Sequence, residues 1–325
     1  MQKKDTMKSI KYFFHAAFAA MGCAVILSCG TFKTQVVSAV SVPEEGNTMF
    51  TRVTPEGASV LQNLTKKVSY LAIDQKNGRL AYLSGNQKEQ NIHVISIYNP
   101  NISSQRTHRN DVYGGFSFSP DGEKLLFNTS TTIFETNARE GALATQVATG
   151  DWPVYSYDGK YIFFQKTESN TQYVWRYDIK SKSLSTLCLG STVSPSHTPN
   201  EIYVLRQSKN NERQFYEIVK VNYESGTESI IFSNSQIDPC AVSESPDGRW
   251  LAFSGYAYEE KKGWGKRQLF VVSTDGTGLV QLTYHPGASS SPVWSDDGTA
   301  LYFISGRGSS NYTNGIWKMN VNLGH

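Results

Sequence analysis

Pairs of short apolar runs, separated by a polar turn that ends in glycine, recur along this chain. The stretch Ser290–Gly306 (SSPVWSDDGTALYFISG) has one run on each side of Asp297-Gly298. Similar stretches occupy Phe116–Ser130, Pro153–Thr167 and Ala241–Gly255. Apolar and aromatic runs that flank Asp-Gly are typical of β-hairpins, because glycine supplies the positive φ of a tight turn. The pattern therefore predicts pairs of antiparallel strands.

The turns themselves are spaced along the chain by 37 to 50 residues. Their glycines or equivalent residues are Gly78, Gly122, Gly159, Asn200, Gly248 and Gly298. A repeat of about 40–50 residues with several short strands is typical of a β-propeller. We therefore predict an all-β fold over residues 48–325, a six-bladed β-propeller of four-stranded blades. The fourth unit, in which Asn200 replaces glycine, matches the pattern least well.

A ring of blades has to close, because an open ring exposes the edges of its sheets. The last unit stops at the chain end after its third strand, whereas Met49–Thr65 (MFTRVTPEGASVLQNLT) matches Leu269–Thr283 of the fifth unit. We therefore predict that the N-terminal segment closes the ring and that Val60–Thr65 is the outer strand of the last blade. A short helix over Ser59–Val68 is the alternative interpretation.

The first 29 residues have the pattern of a lipoprotein signal peptide. Basic residues precede the apolar run Tyr12–Leu27, and Ile26-Leu27-Ser28-Cys29 resembles a bacterial lipobox, which implies lipidation of Cys29. Residues 30–47 would form a tether. The alternatives are an ordinary cleaved signal peptide and an uncleaved anchor. The pattern predicts a lipid-anchored protein of the bacterial cell envelope, and no Asp follows Cys29, which favours the outer membrane.

The charge of the chain is balanced once this segment is set aside. Residues 1–29 contain four Lys and one Asp, so 27 basic and 27 acidic residues remain of the 31 and 28 in the whole chain. Nucleic acid is not an expected partner, because it requires a basic face. Of the four cysteines, Cys188 and Cys240 lie beyond the signal segment. We predict that each is a small buried apolar residue rather than part of a disulfide.

The best-preserved unit resembles the TolB-type propeller repeat. It contains Leu282-Thr283, then Ser291–Gly298 (SPVWSDDG), then Leu301–Ser305 (LYFIS). The resemblance covers roughly residues 49–322 and implies a six-bladed propeller. In TolB itself it implies a periplasmic role and contact with a peptidoglycan-associated lipoprotein. The chain differs from TolB in having a lipobox and only a short tether before the repeats.

The loops that lead into the first strand of each unit are expected to meet at one mouth of the central channel. They contain seven residues with candidate binding chemistry: His108, Asp111, Asp151, Trp152, His197, Asp238 and His285. Loops on a rigid scaffold often carry recognition, so we predict a binding face; the alternative is that each residue only serves its turn. The spacing of these histidines and carboxylates indicates no metal site, and we predict no cofactor.

Four aspartates recur at one place in the repeat and resemble catalytic acids only at first sight: Asp121, Asp158, Asp247 and Asp297. Their shared position predicts a role in stabilising turns. A long charged loop contains three aromatic residues, Tyr256, Tyr258 and Trp264, that are candidates for a contact with a partner. The alternative is a solvated loop with one aromatic residue packed on its blade.

The nucleophile motif of serine hydrolases is missing from the sequence. It contains no Gly-x-Ser-x-Gly elbow followed by an α/β pattern, which a serine hydrolase domain would require. We therefore predict a non-enzymatic scaffold that binds an envelope protein and reaches the membrane through its lipid alone. One alternative is a lipoprotein that binds carbohydrate or peptidoglycan through stacking on Trp152. A metal-dependent propeller lyase is the other.

Overall fold

The computed structural model describes nine parts of the chain: residues 50–52, 67–86, 89–109, 111–139, 143–259, 263–284, 287–306, 315–321 and 323. The predicted signal peptide with Cys29, the tether and His285 lie outside these residues, so the predictions about them remain open.

The described residues form 24 β-strands in six sheets of four strands each. In chain order the strands are β1 (Phe50–Arg52), β2 (Lys67–Asp74), β3 (Arg79–Asn86), β4 (Glu89–Ser96), β5 (Ser103–Gln105), β6 (Val112–Phe118), β7 (Lys124–Thr129), β8 (Thr132–Asn137), β9 (Thr145–Thr149), β10 (Asp151–Tyr155), β11 (Tyr161–Glu168), β12 (Thr171–Asp178), β13 (Leu184–Leu189), β14 (Ser191–Pro195), β15 (Glu201–Lys209), β16 (Gln214–Asn222), β17 (Glu228–Ser233), β18 (Ile237–Glu244), β19 (Trp250–Glu259), β20 (Gly263–Ser273), β21 (Val280–Gln281), β22 (Ser289–Trp294), β23 (Ala300–Ser305) and β24 (Gly315–Asn320).

Each sheet is one antiparallel blade, and the six blades form a β-propeller as the sequence predicts. Blades 1 to 5 are β2–β5, β6–β9, β10–β13, β14–β17 and β18–β21 in simple sequential order. The first strand of each blade is innermost and contacts the first strand of the next blade, and β22 contacts β2 to complete the ring. Because successive strands reverse direction, the loops between second and third strands share one end of the ring with the connections between blades. We call this the mouth end and the opposite one the turn end.

The sixth blade has the order β1-β24-β23-β22, so an N-terminal strand closes the ring. Phe50 pairs with Met319 and Arg52 with Trp317. The prediction of closure by the N-terminal segment is confirmed, but the outer strand is Phe50–Arg52; the predicted strand Val60–Thr65 lies outside the described residues. In the alignment of the repeats, Phe50–Arg52 matches the third strand of a blade. In blade 6 the third strand is β24, so Phe50–Arg52 pairs beside it as the fourth strand. The alternative prediction, a helix over Ser59–Val68, is wrong for its last two residues, because β2 begins at Lys67.

Removal of β1 is expected to weaken the ring. A chain that begins at residue 53 leaves one edge of β24 without its partner, and an open edge favours both fraying and association between molecules. We expect its melting temperature to fall by several degrees relative to a chain that begins at residue 48, and its size-exclusion profile to show larger species. Equal melting temperatures for the two chains would show that β1 does not stabilise the propeller.

The hydrophobic core lies between neighbouring blades. In β19, Leu251 and Phe253 pack in a cluster with β15 and β16 of blade 4, whereas Ala252 packs in a cluster with β22 and β23 of blade 6. A second strand buried on both faces needs an unbroken apolar run, because its side chains alternate between the two neighbours. Cys188 on β13 packs against the cluster between blades 3 and 4, and Cys240 lies on β18; both are half-buried free thiols.

The repeated aspartates hold the turns between the first and second strands. The Ser295 hydroxyl donates to Oδ1 of Asp297 at 2.6 Å, and the Thr299 N–H donates to the same oxygen at 3.0 Å. These hydrogen bonds keep the pKa of Asp297 below its ordinary value. Asp121, Asp158 and Asp247 each accept from a serine in the same way. In blade 4, Asn200 takes the positive φ, 65°, that glycine has elsewhere. The turn role predicted for these residues is therefore confirmed.

Candidate functional site at the channel mouth

Every innermost strand contains one bulged residue at positive φ, with the register shifting around it. These residues are Tyr70, Gly114, Trp152, Thr192, Ala241 and Ser291. A bulge redirects a side chain, and a non-glycine residue at positive φ costs of order 1–3 kcal/mol. Only one of the six is glycine. We call this set the bulge ring; it surrounds the channel towards the mouth end.

Two aromatic residues of the bulge ring meet although their blades are not neighbours. Tyr70 of blade 1 and Trp152 of blade 3 have ring centroids 4.8 Å apart and planes at 75°. Gly115 of blade 2 lies against them, and a Cβ on Gly115 would come within 2.7 Å of Trp152 Cε3. The missing side chain at Gly115 therefore leaves the space in which Trp152 reaches Tyr70.

Asn128 fixes the backbone that presents Trp152. It is fully buried on β7, and its Nδ2 donates to Oδ1 of Asp151 at 3.2 Å, while its Oδ1 accepts from the Trp152 N–H at 3.3 Å. Burial raises the pKa of Asp151. Asn128 is a site residue that was not predicted from the sequence. The sequence does contain a sign of its role. An amide side chain follows the apolar run Leu125–Phe127, at a place where a strand buried on both faces should continue with apolar residues.

The hairpin between β19 and β20 brings a cationic side chain to the same end. Arg267 donates from Nε and Nη2 to the Tyr256 hydroxyl at 3.1 and 2.6 Å. Tyr258 lies under the guanidinium of Arg213, with Cζ 3.6 Å from the ring centroid. The backbone of Trp264 pairs with Tyr258. The predicted partner loop is therefore an extended hairpin at the mouth end, and two of its aromatic residues already contact arginines of the chain.

The structure brings some of the predicted binding residues together and separates others. Asp151 and Trp152 lie in or beside the bulge ring. Asp238 is on β18 and accepts the Tyr216 N–H at 2.8 Å, and burial raises its pKa. His108 and Asp111 are exposed on the connection between β5 and β6, where Asp111 pairs with Arg109 at 2.9 Å.

The predicted position of His197 at the mouth is wrong. β14 ends at Pro195, so His197 lies in the turn that follows this strand, at the turn end of the channel. Its Nδ1 is 2.8 Å from Oε2 of Glu244, and its ring centroid is 4.6 Å from that of Tyr157. The error arose because blade 4 lacks the turn glycine, so the loop before its first strand was extended too far along the chain.

Further aromatic residues are exposed at the mouth end. Tyr113, next to Gly114 of the bulge ring, is 58% exposed, and Tyr284 on the connection to blade 6 is 54% exposed. Within the described parts of the chain, no three His, Cys, Asp or Glu residues are grouped so that they could hold a metal ion. The same residues contain no helix with the length and apolar character to cross a membrane.

Comparisons with known proteins identify the fold. No family model matches the chain, and no curated protein matches its sequence. Among solved structures, TolB from Acinetobacter baumannii is 21% identical over 71% of this chain, with a TM-score of 0.59. A putative TolB from Agrobacterium tumefaciens is 14% identical over 78% of this chain and 90% of its own, also with a TM-score of 0.59. The chain has a TolB-type propeller fold.

The TolB-type fold alone does not select an activity. The chain spans 57% of the length of the Acinetobacter TolB. An oligogalacturonate lyase from Vibrio parahaemolyticus has a similar propeller, 11% identical over 86% of this chain and 96% of its own, with a TM-score of 0.58. A TolB-type propeller therefore has to be interpreted from its own site residues, and here those are the residues of the mouth.

Proposed function

We propose that this chain is a non-enzymatic lipoprotein of the cell envelope whose TolB-type propeller binds a protein partner at the channel mouth. The observation that carries the proposal is the bulge ring, which holds Tyr70 and Trp152 in contact and in strained conformations at the end of the propeller where Arg267 also lies. Strained residues persist where the surrounding structure fixes them, and they concentrate at functional sites. Tyrosine, tryptophan and arginine also dominate the binding energy of protein interfaces.

Two further observations support a binding role without catalysis. The carboxylates nearest the bulge ring, Asp151 and Asp238, accept hydrogen bonds from Asn128 and from the Tyr216 N–H, which suits a structural role. The lipobox-like stretch that ends at Cys29 supports an anchor in the envelope, at the outer membrane in our proposal. The similarity of the fold to TolB agrees with an envelope scaffold. The oligogalacturonate lyase has a similar fold, so the fold by itself does not favour a scaffold over an enzyme.

The test is capture of a partner that depends on the mouth. The full-length tagged chain is purified from solubilised envelopes of the native bacterium, together with Trp152→Ala and with Tyr98→Ala as the control. Tyr98 is 82% exposed on the connection between β4 and β5, at the turn end. We expect Trp152→Ala to lower recovery of the partner at least about tenfold, because loss of a buried aromatic anchor costs 2 kcal/mol or more. Equal recovery with both variants would contradict the proposal.

Glycan binding is the second candidate function. The partly exposed ring of Trp152 and the exposed ring of Tyr113 could stack on sugar rings at the mouth. The matching experiment uses purified peptidoglycan fragments in a sedimentation assay with the same variants. Binding that is lost in Trp152→Ala and kept in Tyr98→Ala would favour this function over the first.

A further inference from the structure

Among the five blades in which the structure describes the corresponding position, blade 5 has a cationic residue there, Arg267, and the others do not. Arg267 lies on the third strand of blade 5, two residues before Leu269. Leu269 pairs with Ser254, and Ser254 pairs with Cys240, the residue before the bulged Ala241. The same pairing, followed from the bulge in blades 1 to 4, leads to a neutral residue in each blade: Gln90, Thr131, Gln172 and Tyr216. The positive charge is therefore a property of blade 5 and not of the repeat.

The charge of Arg267 has no carboxylate partner in the described part of the chain. Its Nε and Nη2 both donate to the neutral hydroxyl of Tyr256. Asp238, which is in register with Tyr256, accepts instead from the Tyr216 N–H. Arg206 shows the usual arrangement, with bonds from Nη1 and Nη2 to the two oxygens of Glu228. A partly buried charge is normally paired, because desolvation without a partner is costly.

Arg267 lies at the mouth end, on the face of blade 5 that is turned towards blade 6. Leu269, two residues further along β20 and on the same side of it, packs in the cluster between blades 5 and 6. The guanidinium also acts on Tyr70 of blade 1. Burial raises the pKa of Tyr70, the Tyr113 phenol adds to the rise, and the positive charge of Arg267 opposes it. Because blade 6 lies between blades 5 and 1, this electrostatic interaction crosses blade 6 at the mouth end.

We propose that Arg267 is an anchor for a carboxylate that the protein partner inserts into the channel mouth. The inference rests on the proposed function and names the chemistry by which that site selects its partner. A guanidinium pairs with a carboxylate through two parallel hydrogen bonds, and Tyr256 orients the group from the other side. A singly charged carboxylate also suits a mouth that contains Asp151 and Asp238 better than a phosphate does, because like charges repel.

The test uses random heptapeptides displayed in two formats, one with a free C-terminal carboxylate and one with the peptide internal to a carrier. Peptides that bind are selected from both formats, once with the immobilised full chain and once with the immobilised Arg267→Gln variant. We expect the wild-type protein to enrich peptides that contain Asp or Glu at a fixed place, or only peptides with a free terminus. The two formats thereby separate a side-chain carboxylate from a terminal one. Affinity for Arg267→Gln should fall about thirtyfold, as for loss of a buried charged partner.

Two further variants keep the test decisive if Arg267→Gln is unstable. Arg267→Lys retains the charge without the planar pair of donors, and Tyr256→Phe removes the hydroxyl that orients the guanidinium. Each should weaken the selected peptides by an intermediate factor, and added salt should weaken wild-type binding further. Selection of the same peptides by wild type and Arg267→Gln, with binding still lost in Trp152→Ala, would overturn the carboxylate inference alone. Peptides that bind independently of Trp152 would instead count against the proposed function.

Discussion

Replacement of Trp294 by alanine is expected to lower the free energy of unfolding by about 3–5 kcal/mol, the range for large aromatic residues in cores. Trp294 is 1% exposed at the end of the innermost strand of blade 6. Its indole packs among Leu301, Phe303 and Leu269, and its Nε1 donates to the carbonyl of Ser243 in blade 5 at 3.0 Å. The substitution opens a cavity between two blades and leaves a carbonyl without its donor, so both effects act in the same direction.

The control for Trp294→Ala is Trp294→Phe, which keeps part of the apolar volume and removes the donor. We expect this variant to lose about 1–3 kcal/mol, less than Trp294→Ala, because it leaves one buried hydrogen bond unmade and opens a smaller cavity. The measurement is guanidinium unfolding followed by tryptophan fluorescence and by circular dichroism. Losses below about 1 kcal/mol for both variants would mean that this contact does not hold blades 5 and 6 together.

The fold could be predicted because its signals are local. A turn such as Asp297-Gly298 carries its own hydrogen-bond chemistry, and the same chemistry recurs at nearly the same interval along the chain. The apolar second strands add a second local signal, since burial between two blades removes the alternation of polar residues. Closure was also predictable as a necessity, whereas the choice of Phe50–Arg52 depended on which edge of blade 6 was free.

The mouth could be predicted only in part, because it is made by contacts between blades. Asp151 and Trp152 were found through their loop, but the positive φ of Tyr70 or Thr192 has no signature in the local sequence. These residues bulge because six innermost strands have to turn around one axis. Arg267 was overlooked for a similar reason: only the register between strands shows that the other blades have neutral residues at its position. His197 was misplaced when a turn lost its glycine.

Glu244→Gln is expected to lower the free energy of unfolding at pH 7 by about 1.5–3 kcal/mol, the range for hydrogen bonds to a charged group. Glu244 is 4% exposed at the turn end of β18. Its carboxylate accepts from the backbone N–H of His197, from the Ser196 hydroxyl at 3.1 Å and from the Tyr203 hydroxyl at 2.7 Å. These donors belong to blade 4, so the carboxylate joins two blades as Trp294 does on the other side of blade 5.

The pH dependence gives this prediction its sharper test. Burial raises the pKa of Glu244, but hydrogen bonds from His197 and Tyr203 outweigh burial and hold the pKa below its ordinary value. A carboxyl whose pKa is lower in the folded state stabilises the protein above the unfolded pKa, about 4.3, and loses that contribution as the pH falls through the folded value. The difference between wild type and Glu244→Gln should therefore be largest near neutral pH and shrink in acid.

Denaturant unfolding at pH 7 and at pH 3, below the unfolded pKa of a glutamate, measures this difference. Glu224→Gln is the matched control, because Glu224 is half exposed and its carboxylate makes only surface contacts: an ion pair with Arg176 at 3.3 Å and a hydrogen bond from the Tyr161 hydroxyl at 3.4 Å. Such a pair contributes less than about 1 kcal/mol, so the control should follow the wild-type protein at both pH values. A constant difference between wild type and Glu244→Gln from pH 7 to pH 3 would mean that the variant acts through packing alone. A difference that narrows in acid would show that the charge of Glu244 itself joins blades 4 and 5.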